Sequence, residues 1–159
     1  MPITIKSVLL ISILLVCPVA VVAQTVAEDE LQAAERKWAA NRPQNYEFVF
    51  EQICVCPPAA AGSPAADPIM FRVANGMGTV VGSWTAASPQ IRYGLGKYST
   101  VEQLFAFIRT ELQKQHYRID IQYDPDAGYP RRVYVNPQAN VHDEEYGFEV
   151  VGFSRFEAQ

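Results

Sequence analysis

From Tyr117 to Val135 the chain spells out a β-hairpin, and this segment constrains the fold more than any other. Tyr117, Ile119, Ile121 and Tyr123 alternate with Arg118, Asp120 and Gln122. A period of two puts the apolar set on one face and the polar set on the other, which is the pattern of a half-buried strand. Asp124-Pro125-Asp126-Ala127-Gly128 supplies the turn, because Asp bonds to its own backbone, Pro fixes φ and Gly tolerates positive φ. Arg131 to Val135 reads as the returning strand, and Asn136-Pro137 ends it.

The same logic finds the remaining strands. Tyr46, Phe48 and Phe50 share one face of a strand over 45–54, with Glu47, Val49 and Glu51 on the other. Ile69, Phe71 and Val73 alternate up to Asn75-Gly76, the dipeptide most typical of a tight hairpin. Thr79 to Trp84 returns from that turn. After the acidic connection Val141 to Glu145, Phe148 to Phe153 forms the last strand.

Two segments have helical period. Over 26–41, Ala27, Leu31, Ala34 and Trp38 recur on one side, and Glu28, Asp29 and Glu30 suit a helix N-terminus. Asn41 and Pro43 end that helix. Over 99–112, Val101, Leu104, Phe105, Ile108 and Leu112 form one apolar stripe. Two overlapping capping boxes open it, Ser99 with Glu102 and Thr100 with Gln103.

The element order is therefore helix, three strands, helix, three strands. Hairpins imply antiparallel pairing, so the expected fold is α+β: an antiparallel sheet with two helices on one face. The halves repeat element order without residue-level identity. Residues 57–68, rich in Ala, Gly, Ser and Pro, read as a mobile loop.

The N-terminus reads as an export signal. Lys6 precedes an apolar run from Val8 to Ala23, broken by Ser12 and Pro18 and ending Val-Val-Ala before Gln24. That is the anatomy of a cleavable secretory peptide, with cleavage expected after Ala23. The run falls short of the roughly 20 apolar residues of a membrane span, which leaves an uncleaved anchor as the minor alternative. Lipidation at Cys17 fits poorly, because Val16 stands where a small residue is needed. Removing 23 of the 159 residues leaves 136, the size of one domain, and losing Lys6 takes the net charge from −4 to −5. An acidic domain has no electrostatic footprint for nucleic acid and no basic helix for anionic membranes.

Several segments together resemble a known family. They are Trp38-x7-Tyr46, Cys54-Val55-Cys56-Pro57, Val73-Ala74-Asn75-Gly76, the run from Tyr98 to Phe105, Tyr123-Asp124-Pro125-Asp126-Ala127-Gly128-Tyr129-Pro130, and His142-Asp143-Glu144-Glu145. In order and spacing they resemble a family of small exported bacterial proteins catalogued as domain of unknown function six-one-seven-four. The resemblance implies an envelope or secreted location. It carries no activity and no catalytic residue. At the level of architecture alone, helix plus meander is also similar to envelope modules that bind or inhibit proteins, such as beta-lactamase-inhibitor-like folds.

Cys54 and Cys56 are the sharpest chemical feature. Outside the cytoplasm neighbouring thiols tend to oxidise. Residues two apart in a strand lie about 6.5 Å apart, near the upper limit for a disulfide. The pair is read first as a structural bridge pinning the strand end, and second as a redox pair or two-thiolate metal site. Zinc would need two more ligands, for which His116 and His142 are available. Asp124, Asp126, Asp143 and Glu144 are a weak candidate set for calcium. Turn chemistry explains Asp124 and Asp126 equally well.

The binding candidates are Tyr129, Arg131 and Arg132 around the second hairpin turn, and Trp84 at a strand end. No Gly-x-Ser-x-Gly, phosphate loop or dinucleotide fingerprint occurs. No cofactor is implied. The expectation is a periplasmic or secreted non-enzymatic module that binds a protein or small ligand. Thiol redox or metal handling through Cys54 and Cys56 is the alternative.

Overall fold

The structure, a computed structural model, describes residues 19–54, 68–83, 96–141 and 143–157. Helix α1 (Val19–Asn41) leads into strands β1 (Asn45–Cys54), β2 (Ile69–Ala74) and β3 (Met77–Ser83). A single 3-10 turn (Gly96–Tyr98) precedes helix α2 (Val101–Leu112). Strands β4 (Arg118–Tyr123), β5 (Pro130–Asn136) and β6 (Tyr146–Arg155) complete the chain. All six strands form one antiparallel sheet in the order β3-β2-β1-β6-β5-β4. Each half is a meander, and the two meanders join at the centre through β1 and β6. The α+β element order is the one the alternations predict.

The helix starts differ from expectation in instructive ways. The described part of α1 runs from Val19, upstream of the expected residue 26, and no Gly or Pro interrupts Val19 to Asn41. In the full-length chain Glu28, Asp29 and Glu30 therefore lie within the helix. In α2 only one of the two overlapping capping boxes forms. Thr100 Oγ accepts from the Gln103 amide, and the Gln103 side chain returns a bond to the Thr100 amide. Gln103 Oε1 also accepts from the Ser99 amide and hydroxyl, so Ser99 is spent on the cap. Glu102 is left free for other partners.

The core is aromatic. Tyr46, Phe48 and Phe50 of β1, Phe71 of β2 and Phe148 of β6 are fully buried. Phe48 stacks on Phe71, and Phe50 stacks on Phe148 and on Tyr98. Each buried ring of this kind contributes about 1.5–3 kcal/mol of hydrophobic stabilisation. Both helices reach the sheet through rings. Trp38 of α1 meets Tyr46 and Phe153 edge-on, while Phe107 of α2 meets Phe148 and Phe105 stacks on Tyr123. Leu31, Ala34 and Trp38 are the buried stripe of α1, as their spacing predicts.

The turns also follow their chemistry. Asn75 and Gly76 both take positive φ (51° and 79°), as a hairpin twisting with its strands demands. Gly128 has φ 85°, and a Cβ placed there would lie 2.6 Å from the Ala34 carbonyl oxygen. The second hairpin turn is thereby tucked under α1, where Lys37 Nζ also donates to the Pro125 carbonyl at 2.6 Å. Among the described residues, no helix is long and apolar enough to cross a membrane.

Candidate functional site

Among the described residues β4 is the last strand of the sheet and pairs only with β5. Its register sets Gln122 opposite Arg132, Asp120 opposite Tyr134 and Arg118 opposite Asn136. The side chains of directly opposed residues share a face. Arg118 Nε lies 2.8 Å from Asp120 Oδ2, and both side chains are open to solvent. Arg132 Nε stands 4.0 Å from Glu149 Oε2 on β6. A cavity of about 710 Å³ runs along this edge, lined by Arg118 to Gln122, Arg132, Tyr134 and Glu30 of α1. Two guanidiniums and two carboxylates balance its charge. A tyrosine ring and a strand edge complete it.

A second group of polar side chains closes the far end of α2. Glu111 follows Ile108 and Leu104 along the buried stripe and is only 4% exposed. A carboxylate there must be satisfied internally. It accepts from Lys114 Nζ at 2.7 Å and from Tyr146 Oη at 2.6 Å, and His116 Nε2 lies 2.9 Å away. Burial pushes the Glu111 carboxyl up. The bonds from Lys114, Tyr146 and His116 together outweigh that and hold it below its ordinary value. The Tyr146 hydroxyl is pushed well up, first by burial and then by its bond to the Glu111 charge. The ladder sets Cys54 directly opposite Tyr146. The end of β1 therefore runs alongside the strand that carries Tyr146 into the Glu111–His116 cluster.

A third group is structural. Glu102, released from capping, accepts from Trp38 Nε1 at 3.0 Å, Arg42 at 3.1 Å and Tyr46 Oη at 3.3 Å. Tyr46 Oη in turn accepts from the Val101 amide. Three elements are knotted together at the N-terminus of α2.

The sequence candidates fall in different places. Arg131 and Arg132 are exposed, and Arg132 lines the edge cavity. Tyr129 turns inward: it stacks on Phe153 at 4.6 Å and meets Trp38 edge-on at 6.4 Å. A turn position suggested an outward ring, but the turn itself is folded beneath α1. Asp124 accepts from the Asp126 and Ala127 amides, which is turn chemistry. The Asp143 amide donates to Glu145, and Glu144 accepts from Gln138. Among the described residues no group of three or more His, Cys, Asp or Glu is placed to hold a metal ion. Cys56, Trp84, His142 and the loop read at 57–68, apart from Pro68, lie outside the described residues.

Sequence reasoning passed over Arg118, Asp120 and Gln122, because only the strand order reveals that β4 is an edge. It also passed over Glu111, although an acid three residues after Ile108 on an apolar stripe is a visible signal.

No curated protein matches the chain. A family model does, across residues 30–155, from within α1 to the end of β6. The span covers both helices' buried stripes, all six strands and the edge cavity, and the chain belongs to the family of unknown function DUF6174.

Proposed function

We propose that this chain is an exported, non-enzymatic binding module, periplasmic or secreted, and that its partner docks along the β4 edge. The observation that carries this reading is the open, charge-balanced cavity running the length of β4. An edge strand offers main-chain donors and acceptors to an incoming extended segment, and neighbouring side chains select it. Arg118 and Arg132 would engage carboxylates, Glu30 and Asp120 would engage cations, and Tyr134 offers an amphipathic ring. The test is an amide NMR titration with a pooled panel of short extended peptides. Shifts concentrated at Arg118–Tyr123, Arg132 and Tyr134 are expected. Shifts confined to other surfaces overturn the reading, as does reproducible turnover of a substrate panel abolished by a point change.

A second reading rests on the register that sets Cys54 opposite Tyr146, whose hydroxyl donates to Glu111. Redox and metal-binding thiols are activated where acid–base groups lie close by. In that reading Cys54 and Cys56 act as a dithiol, a strained and reducible bridge or a soft-metal site. Alkylation of the exported protein before reduction, read by intact mass, separates a free dithiol from a bridge. Changing both cysteines to serine keeps the fold and removes the activity if the pair is functional, and melts the domain if it is structural.

A further inference from the structure

We propose that the partner of the β4 edge is a second copy of this chain, paired β4 to β4 about a twofold axis through Ile119. The inference rests on the reading of β4 as the docking edge and names what docks there. Two antiparallel edges related by a twofold normal to the sheet keep the same face of each copy on the same side of the joined sheet. Directly opposed residues then share a face, so the residue on the axis fixes every pairing. An axis at Arg118 or at Asp120 sets that charge against itself. An axis at Ile121 leaves Asp120 opposite Gln122 and sends Arg118 towards Asp124, whose Oδ1 is already taken by two turn amides. An axis at Ile119 sets Arg118 opposite the second copy's Asp120, and Asp120 opposite its Arg118. The 2.8 Å pair within each of the two chains is exchanged for a pair between them.

The same register answers the apolar side. Ile119 meets its own copy, and Tyr117, 63% exposed in the single chain, lies opposite the second copy's Ile121. An exposed ring thus gains an apolar cross-strand neighbour. The other edge is less suited. β3 is interrupted where Met70 faces Gly82 and Phe71 faces Val80, leaving Val81 as an extra residue. Such a bulge bends an edge away from further pairing. β4 shifts register only at its last residue, between Gln122 and Tyr123.

Sedimentation of the full exported protein, followed up to about 1 mM, tests this, since that concentration reaches the weak end of specific association. A dimer is expected. Asp120→Arg sets two arginine pairs across the axis and weakens the dimer roughly tenfold or more. Arg118→Asp combined with Asp120→Arg restores complementarity and brings the dimer back. Arg118 is exposed and Asp120 is half-exposed, so a circular dichroism spectrum matching the parent confirms that each variant is folded. A monomer at every concentration overturns the inference, as does a dimer indifferent to Asp120→Arg. Amide protection on dimerisation at Met77–Ser83 instead of Arg118–Tyr123 overturns it too. If the protein is monomeric while peptides still shift β4, the self-pairing fails and the docking edge stands. If neither engages β4, both fail.

Discussion

Glu102 accepts a hydrogen bond from Trp38 Nε1 at 3.0 Å, fastening the end of α1 to the first turn of α2. The contact exists because Thr100 and Gln103 complete the cap between themselves. It leaves Glu102 to satisfy the indole of a tryptophan that is only 3% exposed. Burial raises the Glu102 carboxyl, but the bonds from Trp38 and Arg42 outweigh it and the carboxyl sits below its ordinary value.

Replacing Glu102 by alanine strands the indole N–H, which costs about 1–3 kcal/mol. The midpoint of urea unfolding should fall accordingly with an unchanged slope. An unchanged midpoint would show that the indole finds another acceptor.

The second hairpin turn should be intolerant of a side chain at Gly128. Positive φ alone costs of order 1–3 kcal/mol for a residue forced to hold it, and the added Cβ would also meet the Ala34 carbonyl. Gly128→Ala should lower the thermal midpoint by several degrees. Gly82→Ala, whose Cβ would meet only Met70 at 3.8 Å, should barely move it. Equal effects at the two sites would contradict the packing of the turn under α1.

Acid should act partly through Glu111. Its carboxyl is lower in the folded chain than in the unfolded one. Its stabilising contribution is therefore present above the unfolded carboxylate value and is lost as pH falls through the folded value. Between about pH 7 and pH 3 the wild type should lose more stability than Glu111→Gln, which has no charge to titrate there. Parallel pH profiles for the two proteins would exclude this role.

Core depth should grade the cost of truncation. Phe50 is fully buried against Phe71, Tyr98 and Phe148. Phe50→Ala should cost about 3–5 kcal/mol. Val151 is half exposed, and Val151→Ala should stay within about 0.5 kcal/mol. Denaturant titrations of the two variants check the contrast.

Much of this fold was legible residue by residue. Alternation at Tyr46-Phe48-Phe50 and at Ile119-Ile121-Tyr123 named the buried faces, and Asn75-Gly76 named its turn. Long-range pairing was not legible. β1 and β6 come from opposite ends of the chain, and nothing local in Phe48 announces Phe153 as its partner. The edge position of β4 depends on that pairing, so Arg118 and Asp120 read only as the wet side of a strand. Tyr129 misled for a related reason. A turn residue usually faces solvent, but Gly128 lets this turn slide beneath α1 and carries the ring onto Phe153. The choice between two capping boxes, Ser99 with Glu102 or Thr100 with Gln103, was equally open until Trp38 and Tyr46 were placed beside Glu102.

Amide hydrogen exchange across Arg118–Tyr123, measured on the exported protein alone and with each binding peptide, tests the docking edge most directly. Added protection is expected in β4 and its neighbours Arg132 and Tyr134, with Met77–Ser83 unchanged. Protection that appears elsewhere while β4 exchanges as before would contradict it.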